Sequence, residues 1–214
     1  MKYFFALLLN FALLLPACDV AQEGSRVDAA LEEDCPPEGS AQSARIAELN
    51  KLKNRSNSPS PADIDTTATL KKILETGDDA DRWNKYKAAK IAGYVIDVKP
   101  GGVETCNCKT KEIDKRDTHI ELVADPMYDE KLLRVIVEIT PRMREKMKAK
   151  GVDWSTKALR DKLLGRWVTF TGWMLFDEEH ANQAENTNPG RPRNWRATAW
   201  EIHPVTNIEI SKKP

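Results

Sequence analysis

The chain lacks an excess of charge of either sign: 33 basic side chains meet 33 acidic ones across 214 residues. A broad basic surface for nucleic acid is therefore not expected. Beyond the N-terminus it also lacks any apolar run of 18 residues, so no internal transmembrane helix is expected. Its 10 glycines and 12 prolines show no enrichment or period, which excludes collagen-like and low-complexity classes. Histidine is scarce, at three, and cysteine nearly so, at four. What is present is a core. Hydrophobic residues make up 41% of the chain, enough to exclude wholesale disorder, and all six tryptophans fall between Trp83 and Trp200.

The N-terminus reads as an address. Residues 1–17 are MKYFFALLLNFALLLPA, with Lys2 ahead of an apolar run of secretory length that is short for a bilayer. The run closes on Leu15-Pro16-Ala17-Cys18. This resembles the lipobox of bacterial lipoproteins, with leucine at −3 and a small residue at −1 before a cysteine. The resemblance implies a signal peptide over 1–17, acylation of Cys18, and a membrane-anchored protein of the bacterial cell envelope facing the periplasm or exterior. An ordinary cleaved signal with an incidental cysteine is the alternative. Residues 19–38 then hold seven acids and one base, Arg26, with almost no large apolar side chains. Such a stretch buries too little surface to offset chain entropy, so 18–39 is expected to be a disordered acidic tether.

Residues 40–87 are expected to form a helical extension on the domain edge. Ile46, Leu49 and Leu52 recur at helical spacing, residues 54–62 break the pattern with two prolines, and 69–75 form a second short helix. Residues 88–214 are expected to be the folded domain. Strands are predicted over 89–98, 117–123, 132–140 and 166–176, with two helices over 142–150 and 156–164. A final strand over 195–203 is expected to break at Pro204 and resume over 206–210. Glycines at 93 and 172, inside strands, suit the tight bends of a small closed barrel.

This element order is similar to an OB-fold, the five-stranded Greek-key barrel with a helical link between strands three and four. The expected class is therefore mainly β with α, and a β-sandwich is the competitor. The phrases THIEL, VIVEITPR and NWRATAWEIHPVT also look similar to uncharacterised bacterial envelope proteins of this type. The resemblance implies a ligand face on the outer side of strands two and three, flanked by the loops after strands one and four.

Alternation assigns the sides. Thr118, Ile120 and Leu122 should point inward with Leu133, Val135, Val137 and Ile139. That leaves His119, Glu121, Arg134 and Glu138 on an exposed patch, or on an ordinary solvated sheet face. Glu201 and His203 share one face of the last strand, opposite Trp200 and Ile202, which look like core. The two loops, 100–116 and 177–194, are long at 17 and 18 residues, and long loops are often functional. The second carries Asp177, Glu178, Glu179, His180 and Glu185, with Trp195 beyond it. Acids and a histidine at that density suit a divalent cation, as well as a solvated loop. Trp173 and Trp195 suit stacking on a sugar or base, or plain packing.

The first loop carries Cys106 and Cys108. With Cys18 acylated, three cysteines remain, and three readings stay open: a metal site of Cys106, Cys108 and His119, a Cys106–Cys108 disulfide, or unpaired thiols.

Two functions fit. One is a lipid-anchored binding module whose partner is an envelope glycan or protein, with nucleic acid disfavoured by the balanced charge. The other is a metal-dependent hydrolase, because one secreted nuclease family also places carboxylates and arginines on an OB-type barrel. Asp117, Glu121, Arg134, Glu138 and Arg142 supply those residue types here, by fold-level analogy.

Overall fold

Five strands close into a barrel in the order β1-β2-β3-β5-β4. The computed structural model describes residues 34–127 and 130–214. The expected signal peptide over 1–17, Cys18 and most of the acidic stretch lie outside the described residues. β1 (Ala88–Pro100) pairs antiparallel with β2 (Thr118–Val123) and β4 (Trp167–Phe176). β2 pairs with β3 (Val135–Ile139), and β4 pairs with β5 (Trp200–Ile210). A short parallel ladder, Ile136 against Glu201 and Val137 against Ile202, seals the barrel. This is the OB-like topology that the element order implied.

The inward set is the alternating one. Ile120, Leu122, Val135, Val137, Ile139, Val168, Phe170 and Ile202 are buried in one apolar cluster. Leu133 departs from the expectation. It sits in a one-turn helix before β3 and is 37% exposed, because the strand begins at Val135. Among the described residues, four α-helices each start on a side-chain oxygen that caps an otherwise unpaired backbone N–H. They are α1 (Ala44–Lys53, capped by Ser43), α2 (Leu70–Leu74, by Thr69), α3 (Pro141–Ala149, by Thr140) and α4 (Thr156–Leu163, by Ser155). The last two form the link between β3 and β4.

Pro204 does not break the last strand. β5 runs through it, with a cis His203–Pro204 bond and two register shifts opposite Gly172. The shifts remove the positions where proline would have to donate to the ladder. Gly172 permits this close passage, since a Cβ there would meet the Pro204 carbonyl oxygen at 2.3 Å. The strand also starts at residue 200 rather than 195, so the loop after β4 spans 177–199.

The N-terminal segments are more than an edge decoration. Ala68, Leu70 and Ile73 belong to the main core cluster. The expected tether boundary is corrected as well, because residues 35–39 are docked. Cys35 forms a disulfide with Cys108, the Asn54 amide donates to the Pro37 carbonyl at 3.0 Å, and the Ser40 amide donates to the Thr105 carbonyl at 2.9 Å. The docking uses backbone hydrogen bonds and a covalent bond, which composition does not reveal.

Candidate functional site

The outer face of the barrel presents two cross-strand rows. Register sets Lys99 of β1 against His119 of β2, and His119 against Glu138 of β3. In the neighbouring row Asp97 faces Glu121, Glu121 faces Ile136, and Ile136 faces Glu201 of β5. The alternation argument placed these side chains on the correct face. It misjudged their surroundings. Glu121, Glu138, Glu201 and His203 are all buried, so the expected exposed patch is a covered ionic layer. The cover comes from three places: α1, the loop between β1 and β2, and the loop between β4 and β5.

α1 contributes Lys53, whose ammonium is fully buried against Glu104 at 2.8 Å and Asp177 at 3.1 Å. Burial alone would lower its pKa, but the two carboxylates hold it well above the ordinary lysine value. The β4–β5 loop contributes Arg196, which is 1% exposed and donates to Glu201 at 2.6 Å and to the Thr198 carbonyl at 2.7 Å. Burial pushes the Glu201 carboxyl up, yet Arg196 and His203 together outweigh it and bring the pKa down to about 2. The same loop is pinned by Asp79. The Asp79 carboxylate accepts from the Thr198 hydroxyl at 2.7 Å and the Ala199 amide at 3.0 Å, and the Asp79 carbonyl accepts from the Trp200 indole at 2.9 Å.

All three histidines of the chain converge here. His119 Nδ1 lies 2.7 Å from Glu138, and its Nε2 lies 3.7 Å from Glu121. His203 Nδ1 lies 3.2 Å from Glu138 and 3.4 Å from Glu201, and its Nε2 lies 3.8 Å from Asp117. Burial disfavours the charged rings, but the surrounding carboxylates win and raise both pKa values to about 9. His180 bonds Asp177 at 2.8 Å, which raises its pKa, burial opposing. Burial dominates at Asp117, lifting its carboxyl to about 6 against the pull of His203.

Six carboxylates (Glu104, Asp117, Glu121, Glu138, Asp177 and Glu201) thus face four permanent cations (Lys53, Lys99, Arg134 and Arg196). Two negative charges remain for the histidines or an added cation to balance. Above the layer is a cleft of about 270 Å³, lined by Lys99, Gly101, Gly102, His119, His180, Gln183 and Trp195 and floored by Glu104, Glu138, Asp177 and Glu201. Trp195 is half-buried, its ring 5.7 Å from that of His119 and its indole N–H bonded to Gln183 at 2.6 Å.

All eight residues expected on the ligand face, His119, Glu121, Arg134, Glu138, His180, Trp195, Glu201 and His203, belong to this layer or its cleft. Arg134 reaches it by donating to Glu121 at 2.6 Å. Two other expectations fail. Cys108 pairs with Cys35, so neither a Cys106–Cys108 bridge nor a Cys106–Cys108–His119 metal site forms. Cys106 is a buried thiol, 3.5 Å from Glu104 and 3.8 Å from Asp117. Arg142 lies in another cleft, beside the disulfide, and donates to the Cys35 carbonyl. Trp173 packs under Arg55 and bonds the Asn57 carbonyl at 2.8 Å, which is the packing role rather than the stacking one. Lys53, Asp79 and Arg196 carried no signal of a site. A lysine closing a polar helix, an acid in a polar segment and an arginine beside a tryptophan each read as solvated.

The fold and site together define an OB-like barrel with a covered ionic layer beneath a small polar cleft. No protein-family model matches the chain, and no curated protein matches it.

Proposed function

We propose that the protein is a lipid-anchored binding module of the bacterial cell envelope, and that its cleft takes an uncharged polar ligand of the size of a sugar ring. One observation carries the reading. Both long loops and the outer face of β2, β3 and β5 meet at one cleft, with a half-buried tryptophan at its rim. Aromatic rims over polar floors suit sugar rings, which offer an apolar face and a ring of hydroxyls. The carboxylate-rich floor disfavours a phosphate backbone, so a glycan ranks above nucleic acid. The anchor rests on the lipobox-like run ending at Cys18 and the acidic stretch after it.

Titration of tryptophan fluorescence with soluble fragments of the cell-wall glycan tests this. The unmodified chain should respond saturably. Trp195→Ala should weaken binding at least tenfold while changing stability by no more than about 1 kcal/mol, as for other partly exposed positions. Binding of a single-stranded oligonucleotide in place of the glycan would overturn the reading.

Metal-dependent hydrolysis is the second reading, favoured by Asp117, Glu138 and His203 lying together on the barrel face. The separate position of Arg142 weakens its nuclease-like form.

A further inference from the structure

Beneath the cleft, three buried side chains from different strands and a loop come together. Asp117, Glu138 and His203 each place one donor atom within 4.8 Å of the other two. Proximity alone does not make a site, since buried ions also pair with one another. Two further atoms point to a missing partner. Asp117 Oδ1 and His203 Nε2 are buried and have no hydrogen-bond partner among the described residues. A buried polar atom left unpaired costs about 1–3 kcal/mol. Two such atoms on facing side chains are an expensive coincidence for a purely structural ion cluster.

The ring orientation gives the two atoms a common purpose. The hydrogen-bond partner of His203 Nδ1 is Glu201, at 3.4 Å, while Glu138 lies 3.2 Å from the same nitrogen and bonds His119 through its other oxygen. A carboxylate that holds the proton of one ring nitrogen leaves the other as the metal donor, and an ion that binds there displaces the second ring proton. That other nitrogen, Nε2, lies 3.8 Å from Asp117 Oδ2, which also accepts from the Asn107 amide at 2.8 Å, and Oδ1 of the same carboxylate is the unpaired oxygen. Donors about 2.0–2.2 Å from a tetrahedral ion stand roughly 3.3–3.6 Å apart, so a small closing movement brings this pair onto one ion. Glu138 also lines the cleft, which gives the site a path to solvent.

We propose that Asp117, Glu138 and His203 bind one divalent transition-metal ion, with zinc as the favoured occupant. An imidazole nitrogen with carboxylate oxygens suits zinc and its neighbours better than calcium or magnesium, which take all-oxygen shells. The Cys106 thiol, 3.8 Å from Asp117, adds a soft donor beside the site and strengthens that preference. The site is independent of what occupies the cleft.

The full chain, stripped with a chelator and dialysed, is titrated with zinc by calorimetry and then loaded with cobalt. One zinc per chain is expected, with a higher melting temperature and a visible cobalt spectrum of low coordination number. Asp117→Asn and His203→Gln should each lower zinc affinity by at least the roughly 100-fold that even an outer-shell change reaches. Glu179→Gln, at an exposed position of the β4–β5 loop, should leave it unchanged. Should both site variants unfold, the cobalt spectrum of the unmodified chain decides. A spectrum identical to aqueous cobalt, or zinc binding that neither variant weakens, overturns the proposal.

Discussion

Glu121 shows how far a single residue's surroundings can depart from its pattern. It alternates as an outward polar residue of β2, yet it is 1% exposed. Lys99 and Arg134 bond its two oxygens. Burial works to raise its carboxyl pKa, but His119 and Lys99 overcome that and lower it from about 4.5 to about 2. The sign of the linkage follows. A carboxyl whose pKa is lower in the folded state stabilises the fold fully above its unfolded value. The contribution is present above pH 4.5 and is lost as the pH falls toward 2. Glu121→Gln should therefore destabilise the protein at neutral pH by about 1–3 kcal/mol, through charged donors left without their carboxylate. The same change should flatten the fall in stability between pH 4.5 and 2. Urea melts of both proteins across that window check this, and an unchanged acid limb would place Glu121 outside the network. The face of each residue was legible in the sequence because a strand's period is two. Its burial was not, because the cover comes from Lys53, Arg196 and loop backbone far away in the chain.

At the level of elements, the strand order and the helical link were readable from periodicity, caps and breakers. Strand ends were less so at β5, where the register shifts absorb Pro204 and the start moves to residue 200. The N-terminal segments were least legible. Ala68, Leu70 and Ile73 form too short a pattern to reveal that they enter the barrel's own core. Cysteine counting left the pairing open, and the structure joins Cys35 to Cys108 across 73 positions. Closing a loop of that length constrains the unfolded chain by about 4 kcal/mol in the chain-entropy picture, commonly less in practice. Cys35→Ala should lower stability by roughly 2–4 kcal/mol, and reductant should have the same effect on the unmodified chain. Cys106→Ala should leave the response to reductant intact. Melts of the three proteins with and without reductant test this, and a reductant-insensitive unmodified chain would refute the pairing.

For the whole molecule, the proposed function assigns reach to the acidic stretch and recognition to the barrel. The proposed anchor belongs to this scale, since it fixes where every other group operates. Cys18→Ser should move the protein from the membrane pellet to the soluble fraction, and fatty-acid labelling of the unmodified chain should vanish with the same change. Label that persists in the variant would defeat the lipobox reading. The disulfide has a mechanical meaning here too. Tension arriving along the N-terminal segment meets the fold at Cys35 and crosses directly to Cys108, in the loop that overhangs the cleft. The intervening stretch, including α1 with Lys53 and the strand that carries Lys99, is bypassed by the covalent path and bears no load through its backbone. A pulled molecule keeps that stretch folded in reserve, roughly 25 nm of contour at about 3.5 Å per residue, for as long as the bond is oxidised. The disulfide and the second cleft beside it therefore sit at the point of suspension, and the β1–β2 loop registers a tug on the segment before the barrel does.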